Sequence, residues 1–448
     1  MKGYIGKILF VNLSSAEIKT ESIPDGVYEQ FLSGVGLGAW VLYQQIPAGA
    51  DPLGPDNMLG FVSGLLTGTP DFETGRWMVV CKSPLTGGWG DANCGGTFSP
   101  AIKHCGYDAI FINGASAGPV YLYVDDQGAQ IRPAGHVWGL DSIEAEEILK
   151  KENQGSKKPQ VAVIGTSGEK LSLISGICND GGRIAARSGV GAVMGSKRLK
   201  AVVLAGDKPV GFHDLDGMQA ISRRLAVKVS RLRLPRFIRG GIFAFVGQVM
   251  GRMKKAAPVD GIFSTLMIRK WGSSVNNALG VTSGDTPIKN WSSSALEYNA
   301  SYYRRLNPDY LLRRETRKYH CYSCTIGCGA IVDIKDLNGG VFEHSHKPEY
   351  ETCAVFGGLL MNRNLDAILL INELLNRAGM DSISAGGTVA FAIECYQNGL
   401  LTPEMTGGLE LKWGAARAIL ALVKMMIARA SPHFNSRPPV ISGVRRPF

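Results

Sequence analysis

The strongest constraint on this chain is a change of hydrophobic period part-way along it. From residue 1 to about 210, short alternating runs are punctuated by glycine. Examples are the Met1–Phe10 opening, Ala109-Ile110-Phe111-Ile112-Asn113-Gly114, and Val120-Tyr121-Leu122-Tyr123-Val124 followed by Asp125-Asp126-Gln127-Gly128. These read as strands and hairpins, and Lys200–Gly206 closes the region as a buried strand. Farther on the period becomes helical. Leu365, Ile368, Leu369, Leu374 and Leu375 share a face that ends at Gly379, a second helix is predicted over Thr388–Asn398 with Gly399 as its cap, and a third from Ala415 to about Ile427. One sheet or one bundle cannot satisfy both periods. The expected fold is α+β: an N-terminal β-rich domain of twisted sheets with flanking helices, then a mostly α-helical domain. At 448 residues with 45% hydrophobic content, the chain suffices for more than one core. No internal repeat is visible.

Charge marks the boundary. The net charge is +10, yet between Asp216 and Asp260 there is no acidic residue and there are ten basic ones: Arg223, Arg224, Lys228, Arg231, Arg233, Arg236, Arg239, Arg252, Lys254 and Lys255. That segment holds the entire excess, so it reads as a solvated connection or a dock for an acidic partner. Stacking aromatics are too sparse there for a nucleic-acid platform. The expected divisions are a β-rich domain over 1–210, a basic connecting segment over 211–260, a mostly helical domain over 261–428, and an atypical tail over 429–448. The tail has four prolines and no acid, and cannot continue the helix before it. No leader pattern opens the chain and no apolar run reaches a membrane-spanning length, so no membrane span and a cytoplasmic location are expected. Nine unevenly spaced cysteines do not form a secreted disulfide pattern and suit a reducing compartment.

Three of those cysteines bear the chemistry. Cys321-Tyr322-Ser323-Cys324-Thr325-Ile326-Gly327-Cys328 puts three thiols in one short loop that Gly327 and Gly329 allow to wrap tightly. Soft thiolates at this spacing suit an iron–sulfur cluster. Zinc stays open as an alternative, with His320, His344 or His346 completing the set. A cubane takes four ligands, and the only later cysteines, Cys353 and Cys395, read as core thiols. Two glycine-rich stretches also stand out. One runs from Thr74-Gly75-Arg76-Trp77 through Lys82–Gly87 to Gly90–Gly96; the other is Asn179–Gly195. Both combine bendable backbone with arginines, which suits a phosphate-bearing cofactor, and neither has Walker A or dinucleotide-binding spacing.

Together these stretches resemble the tungsten-containing aldehyde:ferredoxin oxidoreductase family. The resemblance runs from Gly3-Tyr4 through Gly75-Arg76-Trp77, Lys82–Gly87, Gly195-Ser196-Lys197, Ser283–Trp291, the cysteine loop, Pro348–Thr352 and Gly379–Ser384, covering roughly residues 1 to 425. It implies a tungsten (or molybdenum) bis-pterin centre without a protein ligand to the metal, a [4Fe–4S] cluster on Cys321, Cys324 and Cys328, and Mg²⁺ bridging the pterin phosphates. Arg76, Asn93 and Gly95 look like the first pterin-binding motif, and Arg183, Ile184, Ala186 and Arg187 like the second. Carbonyls of Asn93 and Ile184 match those that hold the magnesium. A further pterin motif, Asp-x-x-Gly-Leu-Asp in the family, reads Asn376-Arg377-Ala378-Gly379-Met380-Asp381 here. Asn376, Met380 and Asp381 are its carried-over positions, and Asn376 brings no charge. Glu351 resembles the family's active-site glutamate, with Glu349 as the fallback.

The activity implied is oxidation of an aldehyde or related carbonyl substrate to a carboxylate, with electrons leaving through the cluster to ferredoxin or a similar acidic carrier. A homo-oligomer remains open. The fourth cluster cysteine, a second pterin motif and a histidine of the family have no counterpart, which suggests a truncated product. Two alternatives therefore stand beside the enzyme: an inactive fragment, and an electron-transfer or assembly subunit that needs a separate chain.

Overall fold

The computed structural model describes residues 3–155, 158–231, 234–235, 237–253, 260–298 and 304–429, the side chains of 248, 250–253 and 304 excepted. The tail after 429 and Arg233, Arg236, Lys254 and Lys255 of the basic segment lie outside the described residues. The framework divides into two compact units, one of residues 1–225 with 321–324 and 376–381, the other of 226–320, 325–375 and 382–448.

Two six-stranded sheets build the first unit. The first contains β1 (Lys7–Asn12), β2 (Glu17–Ser22), β3 (Leu59–Ser63), β4 (Trp77–Lys82), β5 (Trp89–Cys94) and β6 (Ala109–Asn113), in the order β2-β1-β6-β3-β4-β5. The second contains β7 (Val120–Val124), β8 (Ala129–Pro133), β9 (Gln160–Val163), β10 (Ile177–Asn179), β11 (Arg183–Ala185) and β12 (Leu199–Leu204), in the order β11-β10-β9-β12-β7-β8. Each sheet has one parallel pair, β1 with β6 and β7 with β12. Because side chains alternate across a strand, each sheet feeds two cores. Leu9, Phe61, Val79 and Ile110 of the first sheet share a core with Leu122, Ala162 and Val202 of the second, and with Phe98, Ile102, Val193 and Met194 of the helices Phe98–His104 and Val190–Ser196. Ile8, Val62, Val80 and Phe111 face the other way, onto the helices Asp25–Phe31 and Val35–Gln45. Tyr121, Val161 and Val203 pack with Ala145 and Leu149 of the helix Ser142–Glu152. Burial on both faces is why Leu59–Ser63 and Trp77–Lys82 read as nearly continuous apolar runs. Each such side chain, fully withdrawn from water, contributes about 1.5–3 kcal/mol.

Several buried polar groups of this unit have partners within it, whereas Trp77 Nε1 and Ser167 Oγ have none. The Asp108 carboxylate, completely buried, accepts from Ile5 N at 3.0 Å, Gly6 N at 2.7 Å and Tyr28 Oη at 2.8 Å, which ties the N-terminal segment to β6. Lys103 donates to the carbonyls of Gly3 at 2.8 Å and Leu65 at 2.6 Å, and Lys197 to those of Asn57 at 2.5 Å and Gly114 at 3.3 Å. Burial pulls both ammonium groups down to about 8.

The second unit is mostly helical: Gly261–Trp271, Asn276–Ser283, Pro308–Arg314, Tyr350–Phe356, Ser382–Gln397 and Ala416–Ala428, with Leu365–Ala378 up to Leu375. It also has an antiparallel sheet of β13 (Glu315–Tyr319), β14 (Gly329–Asp333) and β15 (His344–His346). The segment read as a basic connection contains two helices, Leu215–Arg231 and Ile242–Met253. The helix expected from Thr388 begins six residues earlier, at Ser382. A Cβ on Gly386 would sit 2.6 Å from Val355 Cβ. Glycine there lets two helices approach closely instead of ending one. Gly379 and Gly399 take positive φ, +68° and +71°, as the two caps require. Among the described residues, no helix is long and apolar enough to cross a membrane.

Candidate functional site

The first glycine-rich motif surrounds β4 and β5. Arg76 directly precedes β4, Asn93 lies near the end of β5 and pairs with Met78, and Gly95-Gly96 leads to the helix starting at Phe98. The second motif is the turn Asp180-Gly181-Gly182 between β10 and β11, with φ of +51°, +70° and +136°. Sheet topology places the two motifs side by side. Cys94 Sγ donates to Asn179 Oδ1 at 3.1 Å, and Asn179 Nδ2 donates to the Gly95 carbonyl at 3.2 Å. Asp180 accepts from Thr97 N at 2.8 Å and Thr97 Oγ1 at 2.6 Å. Any Cβ on Gly96 would overlap the Asp180 carboxylate, and φ there is +115°. Glu146 accepts from Gly181 N at 2.8 Å, and burial pushes its carboxyl up against the opposing pull of Lys150.

Within the same unit the cysteine loop meets these motifs. The amide of Tyr322 donates to the Gly96 carbonyl at 3.0 Å, and Glu73 N donates to the Ser323 carbonyl at 3.0 Å. Arg183 Nη1 donates to Cys321 Sγ at 3.0 Å. A Cβ on Gly95 would lie 2.7 Å from Cys321 Sγ, 3.2 Å from Arg183 Nη1 and 3.7 Å from Arg76 Nη1. Arg76 Nε donates to Asn93 Oδ1. Arg76, Asn93, Gly95, Arg183 and Cys321 therefore form one group, with two guanidinium cations beside a thiol.

Ile184 pairs with Cys178 across β10 and β11, and Ala186 follows β11. Arg187, half-exposed, pairs with the buried Asp381 at 2.8 Å. The stretch 376–381 is seated by its backbone. Asp381 N donates to the Ile174 carbonyl at 2.9 Å, Gly176 N to the Gly379 carbonyl at 2.9 Å, and Ser142 Oγ to the Asn376 carbonyl at 2.9 Å. Met380 is buried.

Cys328 and Glu351 belong to the second unit. Cys328 ends the loop that joins β13 to β14, where Tyr319 pairs with Gly329. A Cβ on Gly272 would lie 2.5 Å from the Cys328 carbonyl and 2.9 Å from Lys347 Nζ, and Lys347 forms a buried ion pair with Glu315 at 2.6 Å. Glu351 is exposed in the first turn of Tyr350–Phe356, and Glu349, also exposed, accepts from Ser273 Oγ. The tyrosine between them joins two of the family-like stretches: Tyr350 Oη lies 2.9 Å from Thr286 Oγ1 and 3.3 Å from Asp285 Oδ2, and burial pushes it up to about 12.

The arginines and glycines have the chemistry that a phosphate-bearing group needs. Arg76, Arg183 and Arg187 supply cations, and Gly95 and Gly96 let backbone come close, as phosphate binding requires. Cys321, Cys324 and Cys328 are only partly buried, whereas burial pushes Cys81, Cys94, Cys105, Cys178 and Cys353 up to about 12 and keeps them as thiols. Cys353 is buried in the helix Tyr350–Phe356. Among the described residues no group of three or more His, Cys, Asp or Glu side chains is gathered for a metal ion. Sequence reasoning gave no role to Thr97, Glu146 or Asp180. Asp180, a non-glycine residue directly before Gly181-Gly182, was the only local signal.

Comparison with known proteins shows the family. Residues 8–206 match the family model for the aldehyde ferredoxin oxidoreductase N-terminal domain, and residues 249–432 match that for aldehyde ferredoxin oxidoreductase domains 2 and 3. The chain belongs to the aldehyde ferredoxin oxidoreductase family. It is 34% identical over 430 residues to the tungsten-containing aldehyde ferredoxin oxidoreductase of Pyrococcus furiosus, covering 96% of this chain and 65% of that one. With the Thermococcus kodakarensis enzyme of the same name it shares 36% over 417 residues, covering 92% and 62%. The chain thus spans less than two thirds of these relatives' length. The active-site complex BamBC of benzoyl coenzyme A reductase, solved with 1,5-dienoyl-CoA, superposes with a TM-score of 0.74 at 25% identity, covering 96% of this chain and 61% of that one.

Proposed function

We propose that this chain supplies the pterin-binding and cluster-binding parts of an oxidoreductase that converts an aldehyde to a carboxylate. The observation that supports this most is the Arg183–Cys321 contact beside Gly95, which joins a phosphate-binding motif to a cluster-ligand cysteine in one group. Arg76, Arg183 and Arg187 hold the pterin phosphates, and the Asn93 and Ile184 carbonyls hold Mg²⁺ between them. Asn376, Met380 and Asp381 border the pterin, and Ala186 lets the backbone approach less closely than a glycine would. Cys321, Cys324 and Cys328 hold a [4Fe–4S] cluster. When bound, tungsten on its pterins supplies the two-electron chemistry by which RCHO and water give RCOO⁻, three protons and two electrons. Glu351 accepts a proton released from the substrate. Ferredoxin or a similar acidic carrier takes the electrons one at a time. The choice of an aldehyde rests on the names of the Pyrococcus and Thermococcus relatives; the benzoyl coenzyme A reductase complex shares the fold with a different substrate.

The test is metal analysis of anaerobically purified protein, with aldehyde-dependent reduction of a viologen dye. Iron, acid-labile sulfide and tungsten together, with dye reduction, are expected. Iron and sulfide without tungsten or molybdenum would leave an electron carrier, and neither metal would leave no redox role.

A further inference from the structure

Within the second unit, a cavity of about 320 Å³ lies against both flanks of the cysteine loop. Its polar lining is Arg269, Lys270, Lys318 and His320, its apolar lining includes Leu266 and Ile326, and among the described residues no carboxylate lines it. His320 directly precedes Cys321, and Ile326 lies two residues from both Cys324 and Cys328.

The cations donate to backbone carbonyls. Arg269 Nη1 donates to the Val229 carbonyl at 2.9 Å and Lys270 Nζ to the Ile238 carbonyl at 2.7 Å. Lys318 Nζ donates to the carbonyls of Arg269 at 2.6 Å and Lys270 at 3.1 Å. Among the described residues, one carboxylate lies within 4 Å of these cations. Glu315 lies 3.9 Å from Lys318, and it is already paired with Lys347 at 2.6 Å. The positive charge of the cavity is therefore only partly cancelled, and a concave low-dielectric wall focuses it. Val229 and Ile238 belong to the segment 217–259, which contains the whole positive excess of the chain.

We infer that this cavity docks the acidic electron carrier, so that the carrier meets the protein at the cysteine loop; the inference rests on the proposed function. A small anion would engage the cations but leave Leu266 and Ile326 unused. A protein surface with an apolar centre and carboxylate rim engages both, the usual anatomy of a protein interface.

The test measures binding of an acidic two-[4Fe–4S] ferredoxin to the full cluster-loaded chain at low and high salt. Lys270→Gln/Lys318→Gln keeps a donor for each carbonyl while removing two charges. It is expected to weaken binding about tenfold at low ionic strength and to flatten the salt dependence. Lys19→Gln/Lys412→Gln removes the same charge from exposed positions elsewhere and is expected to bind as the parent does. Equal weakening by both pairs, no binding by the parent at low salt, or displacement of the ferredoxin by millimolar inorganic phosphate would each overturn the inference. Aldehyde-dependent viologen reduction, which needs no acidic dock, reports separately on the proposed function. If it persists while both pairs bind ferredoxin like the parent, only the docking site is wrong.

Discussion

Arg183 Nη1 donates to Cys321 Sγ across 3.0 Å, although 138 residues separate them in the chain. A cation hydrogen-bonded to a cluster thiolate stabilises the more negative, reduced state. Replacing Arg183 by Met should lower the one-electron potential of the reconstituted cluster by about 60 mV, the equivalent of about 1.4 kcal/mol. Arg183→Lys should recover part of the shift. An EPR-monitored redox titration reads this, and an unchanged potential in Arg183→Met would show that the contact has no electronic role.

Cluster retention should follow the exposure of the thiols. Cys324→Ala is expected to lose most iron and labile sulfide, whereas Cys353→Ala, which removes a fully buried thiol pushed up to about 12, should keep the parent's iron-to-protein ratio. Iron loss from Cys353→Ala, with an unchanged circular dichroism spectrum, would make Cys353 a ligand after all.

Gly96 cannot accept a side chain without moving the Asp180 carboxylate, and its φ of +115° is already unfavourable for other residues. Gly96→Ala should cost about 2–4 kcal/mol in urea denaturation. Gly87→Ala, at φ +76° with open space around the added Cβ, should cost about 1 kcal/mol. Equal costs at the two positions would refute the close approach at Gly96.

Lys103 and Lys197 link stability to alkaline pH. Their folded values of about 8 lie below the usual 10.5, so between these limits the unfolded chain binds more protons and their contribution rises with pH. That contribution is fully present above about 10.5 and lost as pH falls through about 8. The buried cysteines act in the opposite direction above pH 9, so the difference between parent and variant is the quantity to measure. The stability of the parent relative to Lys103→Met should grow by about 2–3 kcal/mol from pH 8 to 10.5. A constant difference would mean that Lys103 titrates normally.

Much of this was legible in the chain. The strands at Ala109–Asn113 and Val120–Val124 and the helix Leu365–Ala378 follow from period and turn chemistry, which are local. The helix expected from Thr388 starts at Ser382, and a glycine pair within its first turns carries no local helix signal. Only contact with Val355 shows that Gly386 is there for packing. The two helices of the basic segment were missed because a run of charge without acidic partners reads as solvated connection.

By itself the sequence determined residue chemistry: three thiols in one loop, arginines beside glycines, and a single basic segment. Those follow from side-chain type and short-range spacing. Tertiary structure decided which of these groups meet. Strand order in two sheets carries β5 to the turn before β11 and seats 321–324 and 376–381 on the same unit, so that Arg183 reaches Cys321 and Arg187 reaches Asp381. It also decided which thiols lose their water, leaving Cys353 buried while Cys321 stays accessible. Burial and proximity across 138 residues depend on how the whole chain packs, and no local pattern encodes them.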